Sequence, residues 1–491
     1  MNEKLFGRMQ ELRDLSGVVG LASWDQETYL PKKAEGLRAS QLSTLQGLYH
    51  ERLTDPRLGE WLENPGASGD DELAMVRVLR HERDRAVKVP GALVKALAEA
   101  QSRALSAWRE ARAQRDYRVF EPHVGALLKL RREQADAWGH GGERYDALLE
   151  GFEPGMRVAR LSPVLQGLRE KLVPLVQAID SKPPPRRIFE GKTFDLDTQW
   201  RFTLTLLDAM GFDADAGRQD RSTHPFTGGT GPTDVRLTTR LFPALPLSSV
   251  FSTIHEGGHG LYEQGFDVKH TRTPLANAPS MGLHESQSRL WENIVGRSPA
   301  FWAHFFPAYR QLFSAQLDGV SLEDFVREVN RVERSFIRVE ADEVTYNLHI
   351  VLRYELELAL LRGELDTRDL SDAWNQKTKE LLGLTVTQPG EGVLQDIHWA
   401  WGEFGYFPTY ALGNLYSASL WKALRRDVPD VEAGIARGEL APIKAWLRTN
   451  IHSHGYRVDA ETLVTRATGA GLTDVDFMAY LKAKYGPLYG V

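Results

Sequence analysis

The chain has 491 residues, of which 42% are hydrophobic, 26% charged and 10% aromatic, and none is cysteine. Those proportions exclude wholesale disorder, and the length allows a large core without covalent staples. Without cysteine there is no disulfide framework, thiolate metal site, iron–sulfur cluster or cysteine nucleophile, so any metal must be held by His, Asp or Glu. The net charge of -6, with no basic patch, argues against a nucleic-acid partner. The N-terminus is charged from residue 2, and no apolar run approaches the roughly 18 residues of a membrane span. These features predict a cytoplasmic protein with no membrane partner.

Residues 1–180 read as helix after helix. Pro90 and Gly91 mark a start, followed by an apolar stripe of Leu93, Ala96, Leu97, Ala100, Ala104, Leu105 and Trp108. Leu127, Leu128 and Leu130 predict another amphipathic helix, and residues 160–178 a third. The character changes at Ser181–Arg187, whose three prolines cannot sit inside a helix. Residues 181–246 are turn-rich, including a turn predicted over Thr227–Pro232. Within them Asp234–Arg240 alternates apolar and polar side chains and predicts a strand, with an edge that an extended peptide would pair with. Helical periodicity returns after Ser248, for instance over Asn347–Arg362, and no internal repeat is present. A length-based expectation of about three domains gives way to one mostly helical unit over 1–491 with a small sheet set into it.

His255-Glu256-Gly257-Gly258-His259 fits H-E-x-x-H. The four-residue spacing stacks both imidazoles on one helix face, where they converge on one ion, with Glu256 placed to take a proton from water activated there. Ser248 and Ser249 predict the N-cap of this helix and Gly265 its left-handed terminus. Three glycines (Gly257, Gly258, Gly260) each cost about 1 kcal/mol in a helix interior, so close approach of another backbone, or of substrate, is expected there. A catalytic zinc takes a third protein ligand and keeps one position open. Glu285 is the candidate, although it reads equally as a surface carboxylate paired with Arg289 at i,i+4.

HEGGH followed thirty residues on by His284-Glu285-Ser286-Gln287 resembles the carboxypeptidase Taq family of metallocarboxypeptidases. His224-Pro225-Phe226 matches its HPF and Asp234–Thr238 its DxRxT. Ile337–Asp342 matches IRxxAD, and Gly392–Trp399 matches GxxQDxHW. The resemblance covers 224–399 and implies a mainly α fold of gluzincin-like type, with a deep substrate cleft and a small β-sheet beside the HExxH helix. In that reading 1–180 covers the cleft, 181–246 carries the sheet, and 247–491 supplies the metal site and cleft helices. It implies one zinc per subunit on His255, His259 and Glu285, replaceable by cobalt or manganese, with Glu256 as general base and acid. It further implies a homodimer that removes single residues from peptides with a free C-terminal carboxylate, with broad specificity.

An arginine fork suits that carboxylate. Arg338 is the family-matched candidate, against the reading that it only pairs with Asp342 on one helix, and Arg236 is the competitor. Tyr410, with His398 beside it, is the candidate donor to the oxyanion. His224 either lines the cleft or precedes a Pro225 turn. The other histidines, among them His270, His349, His452 and His454, read as surface or satisfied core groups. The rival functions are a related zinc oligopeptidase, a dipeptide-releasing carboxypeptidase, and a non-catalytic peptide-binding protein with a structural metal. A structural site has no use for Glu256, which weighs against the last.

Overall fold

A computed structural model describes all 491 residues. Nine helices precede the sheet: α1 (Glu3–Thr28), α2 (Glu35–Thr54), α3 (Pro56–Glu63), α4 (Asp70–Lys88), α5 (Gly91–Gln114), α6 (Glu121–Trp138), α7 (Arg144–Leu149), α8 (Val158–Asp180) and α9 (Leu196–Met210). Strands β1 (Gly217–Arg221), β2 (Thr227–Gly231) and β3 (Asp234–Thr239) follow. The chain continues through α10 (Pro246–Gln264), α11 (Met281–Arg289), a π-helical turn (Leu290–Val295), α12 (Pro299–Leu312), α13 (Leu322–Val329), α14 (Tyr346–Arg362), α15 (Leu370–Leu382) and α16 (Pro408–Asp427). Four more α-helices end at Tyr489. The fold is mainly helical, with one small sheet, as the sequence predicts. No helix is long and apolar enough to cross a membrane.

The apolar stripes are buried as their periodicity requires. Ala100, Ala104 and Trp108 of α5, and Leu127 and Leu128 of α6, enter one continuous core that runs from Ala100 to Tyr489, and Leu97 is buried as well. A separate small core of Leu5, Met9, Leu12, Leu58, Leu62 and Leu79 holds α1, α3 and α4 together. Asp195 caps α9 through the Thr198 amide at 2.7 Å, and Gly211, with φ 80°, closes it.

The sheet differs from expectation in three ways. Its order is β1-β3-β2, so the predicted strand is central, parallel to β1 and antiparallel to β2. Both edges of β3 are therefore occupied, and a peptide cannot add to it. The glycine-rich 227–231, expected as a turn, is strand β2. Its order comes from pairing with β3 and from α1, which crosses so closely that a Cβ on Gly20 would lie 2.7 Å from the Gly229 carbonyl oxygen. Strand β1 (GRQDR) has no apolar alternation and gave no sequence signal.

Helix α10 also departs from the expected boundaries. It begins at Pro246, whose missing N–H costs nothing in the first turn. Ser249 is then an interior residue, its hydroxyl donating to Gln199 Oε1 at 3.1 Å. Gly265 is right-handed (φ -83°). It is small because His452 packs over it, where a Cβ would lie 2.5 Å from the His452 Cβ.

Candidate metal centre and active site

The glycines of α10 set the depth of its packing. A Cβ on Gly258 would lie 2.7 Å from Ser288 Cα and 2.8 Å from the Gln287 carbonyl oxygen, so α11 crosses backbone to backbone at that point. Gly257 faces Met210 and Leu207 of α9, and Gly260 faces Leu237 of β3 and Phe212. On the other side of α11, Gly413 of α16 makes room for Glu285, whose Cγ would be 2.5 Å from an added Cβ. Glu285 is thus pressed between two helices.

The outcome is a tight donor set. One ligand atom each from His255, His259 and Glu285 lie within 4.8 Å of one another. Glu285 Oε2 is 3.5 Å from His255 Nε2 and 3.2 Å from His259 Nε2. Its other oxygen accepts from Arg289 Nε at 2.7 Å. Glu285 thus pairs with Arg289 through one oxygen and faces the two imidazoles with the other, and it is buried rather than on the surface.

The outer nitrogens of both rings are already engaged. His255 Nδ1 is 2.9 Å from Glu292 Oε2, and His259 Nδ1 is 2.5 Å from His284 Nδ1. Burial alone would depress His255, but Glu285 and Glu292 outweigh it and raise the imidazole to about 10. Burial, with His284 adding to it, lowers His259 to about 3. Glu285 is held well below the usual carboxylate range against its burial, chiefly by Arg289 and His255. Two imidazole nitrogens and one carboxylate oxygen, aimed at a common point with their outer sides occupied, fit a divalent cation.

Glu256 is 6% exposed beside this set, and burial raises its carboxyl while His255 opposes the shift. Thr227 Oγ1, at the start of β2, donates to Glu256 Oε2 at 2.6 Å. That contact explains what the small sheet does next to α10: it holds the carboxylate in one orientation.

A second polar cluster is built around Asp396. Arg338 Nη2 reaches Asp396 Oδ1 at 2.9 Å and Arg353 Nε reaches Oδ2 at 2.7 Å. Two guanidinium-bearing side chains thus share one carboxylate, and the cluster keeps a net positive charge. Residues 330–345 contain no α-helix, so Arg338 does not pair with Asp342 at i,i+4. Asp342 instead accepts from the backbone amides of Val344 and Thr345 at 2.9 and 3.1 Å. Arg338 Nη1 donates to the Tyr346 hydroxyl at 2.9 Å. The Tyr346 ring in turn packs under Arg289, whose guanidinium is 4.8 Å from its centroid. One aromatic ring therefore separates the positive cluster from the arginine that grips Glu285.

Tyr410 and His398 lie in the same place. Tyr410, one turn before Gly413 on α16, is 4.9 Å under the Arg338 guanidinium, and His398 Nε2 is 3.3 Å from its hydroxyl. Burial pushes the Tyr410 phenol up and, reinforced by Arg338 and Arg353, brings His398 down to about 3. Both are neutral donors at neutral pH. Arg236 and His224 stand apart from this group. Arg236 is occupied by Asp234 at 2.8 Å and by the Trp24 ring at 4.4 Å. His224 is exposed, its carbonyl accepting from Ser222 Oγ at 2.7 Å.

Sequence reasoning missed Thr227, Glu263, His284, Glu292, Tyr346 and Arg353. Spacing offered a signal for Glu263, four residues after His259 on the same helix. Glu292 also has helical spacing, seven residues after Glu285, but nothing in the sequence pointed it at His255, which it meets at 2.9 Å from within a π-helical turn. His270 and His452, read as satisfied groups, are buried, and each leaves Nδ1 without a partner.

A helical scaffold that presents two imidazoles, a carboxylate and a buried Glu at one point is that of a metal-dependent hydrolase. A model of the carboxypeptidase Taq (M32) metallopeptidases matches residues 4–485. Thermostable carboxypeptidase 1 of Thermus thermophilus is 46% identical over 505 residues, covering 99% of each chain. Carboxypeptidase 1 of Bacillus subtilis is 37% identical, over 99% of this chain and 98% of that one. The crystal structure of an M32 carboxypeptidase from Deinococcus radiodurans R1 superposes with a TM-score of 0.97 at 40% identity, covering 100% of this chain and 99% of that one. The chain belongs to the carboxypeptidase Taq (M32) metallopeptidase family. It is a carboxypeptidase, and membership implies a divalent metal.

Proposed function

We propose that the protein is a zinc-dependent carboxypeptidase that releases single C-terminal residues with broad specificity. The observation that carries this reading is the pairing of the His255–His259–Glu285 donor set with a net-positive cluster at Arg338, one aromatic ring away. His255, His259 and Glu285 would hold the ion. When bound, a divalent cation supplies Lewis-acid polarisation of the scissile carbonyl and makes water easier to deprotonate.

The chain's own residues do the rest. Glu256 takes the proton of the attacking water and delivers it to the leaving nitrogen, with Thr227 keeping its carboxylate aimed. Tyr410, supported by His398, donates to the developing oxyanion. Arg338 binds the substrate's terminal carboxylate, its charge left uncompensated because Arg353 also draws on Asp396. An anchor that reads only the carboxylate is indifferent to the released side chain, which favours broad specificity. Arg236 and His224 we place at the margin of the substrate path.

We read 1–491 as one catalytic unit acting on peptides in the cytoplasm, as a homodimer; the absence of cysteine fits a reducing compartment. Chelator treatment is expected to abolish hydrolysis, and one equivalent of zinc per chain to restore it, with cobalt or manganese substituting. Metal analysis alongside the assay checks this. Full activity in metal-free protein would overturn it.

A further inference from the structure

The two metal-facing histidines are supported differently. His255 meets a carboxylate directly. His259 meets another imidazole, His284, whose Nε2 lies 2.8 Å from Glu263 Oε1. Two ring nitrogens 2.5 Å apart can share only one proton, so one donates and the other accepts. If His284 donated, the proton of neutral His259 would sit on Nε2 and close the donor set. If His259 donates, its Nε2 lone pair is free. His284 then accepts on Nδ1, and its own proton lies on Nε2, where Glu263 accepts it. Only the second assignment makes both bonds and leaves His259 able to bind an ion.

The arrangement is rigid. Tyr262 packs against the His284 ring at 5.2 Å and against His452 at 5.0 Å. His284 also precedes Glu285 on α11, so the contact at Gly258 that places the carboxylate places the supporting ring as well. We propose that Glu263 and His284 form a relay that locks His259 in the Nδ1–H tautomer and so sets the affinity of the centre for a divalent cation. Both are positioning residues, acting through His259 rather than on substrate.

The inference rests on the metal reading above, and the two fail differently. If the unaltered protein binds no zinc, that reading fails; if the variants below bind it as tightly as the unaltered protein, only the relay does. Zinc affinity is measured by competition with a chelator, together with the unfolding midpoint of each metal-free protein. His284→Leu removes the acceptor and is expected to weaken zinc binding about 10–100-fold with the metal-free midpoint unchanged. His284→Asn puts an amide oxygen near the place of Nδ1 and is expected to retain the affinity of the unaltered protein. Glu263→Ala, at a carboxylate 27% exposed and so tolerant of truncation, frees His284 to take the wrong tautomer and weakens binding in the same direction. Should His284→Leu not fold, Glu263→Ala decides. Unchanged affinity in the Leu and Ala variants, or equal loss in Asn and Leu, overturns the relay.

Discussion

Glu256→Gln is expected to keep one zinc per chain while hydrolysing peptides about 10²–10⁴-fold more slowly. The amide has the shape of the carboxylate, and its oxygen can still accept from Thr227, so the packing at this 6%-exposed position is preserved. What disappears is the basic oxygen pair that receives the proton of water and returns it to the leaving amine. The three residues proposed to hold the ion are untouched, so metal content and turnover separate. Metal analysis and initial rates on the same preparation check the prediction, and normal turnover by a metal-replete variant would contradict the role of Glu256.

Arg338→Ala is expected to lower kcat/KM on peptides with a free C-terminus about 10²–10³-fold, from the cost of leaving one member of a buried charge pair alone. Substrates with an amidated C-terminus, already poor, change little, so the ratio between the two collapses towards one. The fold is expected to survive, because Asp396 keeps its bonds to Arg353, including Nε at 2.7 Å, and is not left as an orphaned buried charge. Rates on matched free and amidated peptides read out this ratio. An unchanged ratio would place the anchor on another residue.

Much of this site was legible in the sequence because it depends on short-range helix geometry. Two histidines four apart on one helix must share a face, and the glycines at 257, 258 and 260 must admit something close; at Gly258 the intruder is the α11 backbone. Glu285 was ambiguous for a physical reason, since one carboxylate serves Arg289 and the imidazoles at once. The chemistry of the second cluster was harder to read. Arg338 and Asp342 have helical spacing, yet their segment is not an α-helix, because Asp342 spends its oxygens on backbone amides and on Thr345. Arg353 sits in the apolar run of α14 and is fully buried, so periodicity could not single out its partner 43 residues away.

Strands β1 and β2 were invisible for a related reason. Their order comes from hydrogen bonds to β3 and from the close crossing of α1, not from side-chain alternation. The sheet matters less as a docking edge than as the carrier of Thr227.

The most direct measurement is mass spectrometry of a defined peptide during incubation with zinc-loaded enzyme. The expected products are a ladder shortened by one residue at a time from the C-terminus, together with free amino acids, and none after chelation. Two-residue steps or internal cuts would contradict single-residue release and favour a dipeptide-releasing enzyme or an oligopeptidase, and an intact peptide would leave only a binding protein.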